Sequence, residues 1–176
     1  FMKKAMKGEL PLLQVAQSLQ SELLMMMPEE IGDEPLAQEK YLVKNAKKIA
    51  ILTAGAAAQR FMTKLDQEQE VLVNIANIAN QLYAMESVVI RTQKAIERDG
   101  VEKASQKILY TQIFCQEAFA IIEAEAKDTL LASVEGDAGR MTLSALRKLT
   151  RNNPYNLIPK KREAAAKLIE AEKYVV

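Results

Sequence analysis

The sequence predicts an all-α fold: an up-and-down four-helix bundle with an extra N-terminal helix and a short C-terminal one. Three observations predict it. Apolar residues recur at three- and four-residue steps along most of the 176 residues, the period of helices rather than strands. The 6 glycines and 5 prolines are too few for the turns of an all-β fold. Hydrophobic residues make up 49% and charged residues 27%, the balance of an ordinary globular protein. At this length roughly 70% of the unfolded surface can be buried, so a core needs no disulfide or metal.

The elements follow in order. A first helix from about Leu10 to Met27 carries the stripe Leu12, Val15, Ala16, Leu19, Leu23 and Met26, and Pro28 stops it. After a loop, Pro35 sits near the first turn of a second helix that runs to about Leu65. There Ala46, Ala50, Ala54 and Ala58 stand at steps of four beside Gly55, a small-residue ridge that lets a neighbouring helix come close. Asp66 with Gln69 reads as a capping box for a third helix over 67–98. Its seam is Val71, Ile75, Ile78, Leu82, Met85, Val89 and Ile96, broken at Thr92, and Leu72, Ala76, Ala79, Tyr83 and Ile90 should widen the buried face.

Asp99-Gly100 reads as a C-cap and turn. A fourth helix from about Val101 to Val134 follows, with Ala104, Ile108, Cys115, Ala118, Ile122 and Ala126 on one stripe. Ile113, Phe114, Phe119 and Ile121 broaden it. Asp137 is placed to cap a shorter fifth helix through Met141, Leu143, Leu146 and Leu149, ended by Asn152-Asn153-Pro154. A last helix follows Pro159. The chain so divides into an N-terminal helix and acidic loop (1–35), the bundle (36–152) and a C-terminal helix (153–176).

Composition excludes much chemistry. With no histidine, a Ser-His-Asp triad, a Cys-His nucleophile and a histidine metal site are impossible. A single cysteine excludes an internal disulfide and a CxxC pair. Cys115 lies on its helix's main stripe and reads as a buried structural thiol. Glu86, Glu123 and Glu125 lie near apolar stripes and read as paired or rim carboxylates, because a diiron bundle would need Glu-x-x-His. The 8 methionines read as gap fillers, and Gly136 and Gly139 form no phosphate-loop pattern. No catalytic residue, cofactor ligand or metal ligand is assigned.

Charge is uneven although the net is only +1. From Glu22 to Glu39 the charged residues are all acidic: Glu22, Glu29, Glu30, Asp33, Glu34 and Glu39. From Arg140 to Arg162 they are all basic: Arg140, Arg147, Lys148, Arg151, Lys160, Lys161 and Arg162. Two readings stand, a solvated surface or a basic end that docks an acidic one, such as the chain's own loop or another domain. Nucleic acid is not indicated, since only Tyr155 interleaves the bases.

At the other end, Lys3, Lys4 and Lys7 precede the stripe of Leu12, Val15, Leu19, Leu23 and Met26. That stripe suits either packing or weak contact with an anionic membrane surface. Gln14, Gln17, Ser18 and Gln20 interrupt any signal-peptide core, which places the chain in the cytoplasm or peripheral to a membrane. Phe1 in place of methionine predicts a piece of a longer protein.

Several segments carry a family likeness. They are Asn80-Gln81-Leu82-Tyr83-Ala84-Met85-Glu86, Ile96-Glu97-Arg98-Asp99-Gly100 and the run from Lys107 to Ala118. These resemble the helical C-terminal domain of acyl-CoA dehydrogenases. Nearly the whole chain is similar to the extra C-terminal helical region of the very-long-chain type and its longer bacterial relatives. That likeness is carried by Lys7-Gly8-Glu9-Leu10-Pro11-Leu12-Leu13, Leu36-Ala37-Gln38-Glu39-Lys40, the run from Ser144 to Arg151, and Lys160-Lys161-Arg162-Glu163.

The departures matter as much. Where the family's catalytic helical domain has a QxxGGxG-like flavin segment, this chain has Leu131-Ala132-Ser133-Val134-Glu135-Gly136-Asp137-Ala138-Gly139. The same stretch lacks an EGT-like catalytic loop. The resemblance implies an interaction or stabilising domain of an FAD-dependent fatty acyl-CoA dehydrogenase, without FAD or catalytic residues of its own. Its implied partners are the upstream catalytic domain of the same polypeptide and a homo-oligomer. A stand-alone helical adaptor or regulatory bundle is the competing expectation.

Overall fold

A computed structural model describes residues 11–25 and 29–173. It contains α1 (Leu12–Met25), α2 (Ala37–Phe61), a 3₁₀ helix (Met62–Gln67), α3 (Gln69–Asp99), α4 (Ser105–Ser133), α5 (Gly136–Thr150) and α6 (Leu157–Ala171), and no strand among the described residues. Helices α2 to α5 form the bundle. The α3–α4 hairpin is its longest contact, α2 packs on both arms, and α1 and α5 lie against α2 while α6 runs along α4.

One core joins five of the six α-helices among the described residues. Leu19 and Leu23 of α1 pack in the same cluster as Leu42, Ile49 and Leu52 of α2. Ile78 and Met85 of α3, Phe119 and Ile122 of α4, and Leu146 and Leu149 of α5 complete it. Each fully buried leucine or isoleucine contributes about 1.5–3 kcal/mol, offset by the entropy of ordering it. The N-terminal helix is thus continuous with the bundle. Its approach to α2 depends on Gly55, where an added Cβ would sit 2.3 Å from the Ala16 Cβ.

The period of seven on α3 is realised where Val71, Ile78, Met85 and Thr92 are buried in turn. Thr92, the break in the apolar pattern, finds a buried partner, with its hydroxyl 2.7 Å from that of Thr111 on α4. Of the predicted stripe, Ala104 just before α4 and Cys115, Ala118, Ile122 and Ala126 on it are buried, whereas Ile108 is half-buried.

Several local expectations fail. The second helix stops at Phe61, because the backbone at Met62 takes φ 47°, ψ −123°, and residues 62–67 tighten into the 3₁₀ turn. Leu65 of that turn seals a small satellite cluster with Ala57 and Val71. This turn absorbs Asp66, so no capping box forms. Glu68 precedes α3 without a side-chain cap, and Gln69 donates to the Asp66 carbonyl instead. Of the flanking stripe, Leu72 is half-buried, whereas Ala76, Ala79, Tyr83 and Ile90 are exposed.

The fourth helix begins at Ser105 after a turn through 101–104. Gly100 does end α3, at φ 84°, ψ 162°, an extended mirror-image region open essentially to glycine alone. Glu135, not Asp137, precedes α5, and Gly136 turns the chain at φ 60°. The last helix starts before Pro159: Asn156 caps it, accepting the Ile158 N–H at 3.2 Å, and Pro159 falls within its first turn.

Candidate functional site

The basic residues take different partners. Arg140 pairs with Asp137 on its own helix, and Lys161 pairs with Glu117 of α4. Lys148 donates to the Leu23 carbonyl at 3.0 Å, bracing α5 against α1. Lys160 donates to Gln112 Oε1 at 2.6 Å and stands 4.6 Å from the centroid of the Tyr155 ring. Arg147, Arg151 and Arg162 are exposed. Of the acidic run, Glu22 pairs with Lys48 and Glu29 with Lys44, each at 2.6 Å, both on α2.

Among the other expected positions, Leu19 and Leu23 face the core, Leu12 is half-buried and Val15 is exposed, while Met26 and the three early lysines lie outside the described residues. Glu86 pairs with Lys47, and Glu125 accepts from Asn77 at 3.1 Å. Glu123 is exposed. No group of three or more His, Cys, Asp or Glu side chains able to hold a metal ion occurs among the described residues.

Sequence reading placed Glu39 only in the acidic run and missed its burial. Glu39, in the first turn of α2, is 1% exposed, and neither carboxylate oxygen reaches a donor in hydrogen-bonding geometry. Burial holds its carboxyl above the ordinary range, against the milder pull of its own backbone N–H, the Tyr155 hydroxyl and the Lys160 ammonium. Behind it, burial and the Glu39 charge push the Cys115 thiol up to about 12, so the thiolate that would make it reactive is disfavoured. Tyr155 is also raised, by burial first and Glu39 next. A signal for Glu39 was available: it sits in step with Leu42, Ala46, Ile49 and Thr53, the buried stripe of α2.

Around Glu39 the first half of α2 grips the segment that joins α5 to α6. Asn45 donates to the Leu149 carbonyl at 2.9 Å, Tyr41 to Arg151 at 3.2 Å and Gln38 to Asn153 at 3.2 Å. The first of these satisfies a carbonyl that the end of α5 leaves without a helical partner, and the other two hold the chain just beyond it.

On the far side, a cleft of about 870 Å³ opens between α1, α2, α5 and the end of α4. Leu23 and Ala56 form part of its floor, and Arg60, Glu135 and Lys148 stand in its walls. Its inner end is the α4–α5 junction, the place where a flavin segment would fall. Glu135 pairs there with Arg60 at 2.7 Å, and Asp137 occupies the first turn of α5. Asp137 is paired in turn with Arg140, so both carboxylates at this helix N-terminus are engaged by arginines.

The structure therefore defines a helical-bundle domain in which several polar side chains tie one helix to another. The chain belongs to the family described as the acyl-CoA dehydrogenase C-terminal domain, whose model matches residues 45–148. It is similar to a probable acyl-CoA dehydrogenase of Bacillus subtilis (strain 168), with 64% identity over 176 residues, which is 100% of this chain and 30% of the relative. A crystal structure of an acyl-CoA dehydrogenase complexed with FAD from Bacillus anthracis superimposes with a TM-score of 0.93 at 64% identity, again over 100% of this chain and 30% of that one. The chain spans about 30% of the length of these relatives.

Proposed function

We propose that the chain is the interaction and stabilising module of an FAD-dependent fatty acyl-CoA dehydrogenase, and that it contributes neither a flavin ligand nor a catalytic group. The α4–α5 junction carries this reading, because Glu135-Gly136-Asp137-Ala138-Gly139 has no phosphate-loop pattern and its two carboxylates are engaged by Arg60 and Arg140. The self-contained core supports it too, since such a module folds as a unit and lends its surface to the rest of the polypeptide.

The test compares the Bacillus subtilis relative with and without the matching segment, alongside the isolated chain. Loss of the segment should lower the melting temperature and speed flavin release, while the isolated chain stays colourless and does not oxidise acyl-CoA. A yellow isolated chain with near one equivalent of flavin, or a truncated enzyme as stable as the whole, would overturn the reading.

A further inference from the structure

Glu39 is the one charged residue buried among the described residues, and both its oxygens lie buried without a hydrogen-bond donor. Its cover is the segment after α5 together with α6. Tyr155 of that segment and Lys160 of α6 stand within electrostatic reach, and Cys115 of α4 lies behind. These are the titratable groups that face it among the described residues, and Lys160 supplies the only opposite charge. That charge is shared, since Lys160 donates to Gln112 Oε1 and stands over the Tyr155 ring. An enclosed carboxyl so poorly supplied with donors holds its proton, because the ionised form would lose its hydration.

The cover is lightly held. Residues 151–156 form neither helix nor strand. Their ties to α2, from Tyr41 to the Arg151 carbonyl and from Gln38 to that of Asn153, are both 3.2 Å long. Helix α6 buries only Ala164 and stands outside the main core. Its polar ties to α4 are Lys160 to Gln112 and Lys161 to Glu117. A part with so few buried apolar side chains opens at far lower cost than the whole fold. Water has a short way to Glu39.

We propose that Glu39 is a proton-operated latch on the last helix. With its carboxyl protonated, residues 151–171 close over it. With the proton lost to solvent, they lift to hydrate the carboxylate while α2 to α5 stay folded. The open form has an ordinary carboxyl, near 4.5, and the closed form binds the proton more tightly. Closure is therefore strongest below that value and weakens by about tenfold per pH unit above it, until the closed form also ionises. Lys160 sets where the weakening ends, because its charge favours the enclosed carboxylate.

Hydrogen exchange of the 176-residue chain beside its Glu39→Gln variant tests the latch. The ratio of the two rates at one pH cancels the intrinsic pH dependence of exchange. For the α6 amides it should be near one at about pH 4 and at least about tenfold by about pH 8. These amides should also exchange faster than those at the middle of α3 and α4, the mark of a separate opening. In the native chain alone, α6 rates should climb with pH more steeply than base-catalysed exchange does, a reading independent of how the variant folds. Lys160→Met, set against its own Glu39→Gln double variant, should extend the rise to higher pH. A lysine that merely tied α6 to α4 would change α6 exchange equally at every pH, and that outcome overturns the proposal. So does an α6 ratio that stays near one while that of α3 and α4 changes, because Glu39 would then meet water only on global unfolding. Exchange of α6 in step with α3 and α4 overturns it as well.

Discussion

Replacing Gly55 with alanine should loosen the N-terminal helix instead of stabilising the chain. On helix propensity alone the change gains about 1 kcal/mol, because glycine is a poor residue mid-helix. The structure opposes it: the new Cβ would lie 2.3 Å from the Ala16 Cβ, where carbon atoms normally rest about 3.5–4.0 Å apart. To relieve that overlap α1 must move outward by about 1–2 Å. Overpacking of this kind costs about 1–3 kcal/mol. Releasing α1 entirely would expose Leu19 and Leu23 at about 1.5–3 kcal/mol each, the larger penalty. The helix should therefore stay docked but displaced, with a net loss of about 1–2 kcal/mol after the propensity gain. A denaturant melt reads the total, and hydrogen exchange of the α1 amides reads the local opening. The reciprocal change, Ala16→Gly in the Gly55→Ala background, should recover most of the loss, a coupling that a double-mutant cycle isolates. A stability gain near 1 kcal/mol, with α1 protection unchanged and no coupling to Ala16, would refute the close-approach argument.

Three further outcomes follow from the core and the buried polar groups. Glu39→Gln should raise stability relative to the native chain increasingly as pH rises above the ordinary carboxylate value of 4.5; the raised carboxyl of Glu39 stabilises the fold fully below that value and loses its contribution as pH climbs through its folded pKa. A difference in melting temperature that does not change between acid and neutral pH would count against this. Ile78→Ala and Met85→Ala, both at buried seam positions, should each lose about 2–5 kcal/mol, and Leu82→Ala, only partly buried, should lose clearly less; equal losses would mean the seam is centred elsewhere. Asn45→Ala should cost about 1–3 kcal/mol by leaving the Leu149 carbonyl without its partner, read in the same melt, and a loss within error would show that water replaces the bond.

What the sequence made legible was periodic. The all-α class and the buried stripes of α3 and α4 follow from residues repeated at helical spacing, and the bundle buries most of them fully, with Ile75, Leu82, Ile96 and Ile108 half-buried. Signals of one or two residues fared worse. Asp66 and Gln69 satisfy the capping-box pattern, yet Leu65 is drawn into the satellite core, and this coils the preceding turn too tightly for Asp66 to cap. Ala76, Tyr83 and Ile90 were expected inside because they are apolar, whereas α2 and α4 cover only the seam side of α3. Partner choice was the least visible. Nothing local shows that Glu22 and Glu29 meet Lys48 and Lys44, or that Lys148 reaches Leu23, because these pairs exist only once α1 is laid on the bundle. Glu39 was legible in principle, since a carboxylate in register with Leu42 and Ile49 must go inside with them.

The grip of α2 on the segment after α5 bears on the order in which the chain folds. Its three bonds join residues separated in sequence by 104, 110 and 115 positions, whereas the α3–α4 hairpin closes through a short turn. Loop-closure entropy favours the hairpin first and delays contacts of such long range. The transition state should then contain the hairpin and lack the grip. Weakening Asn45, Tyr41 or Gln38 would leave the folding rate nearly unchanged and accelerate unfolding, so these side chains set how long the native state lasts more than how fast it is reached.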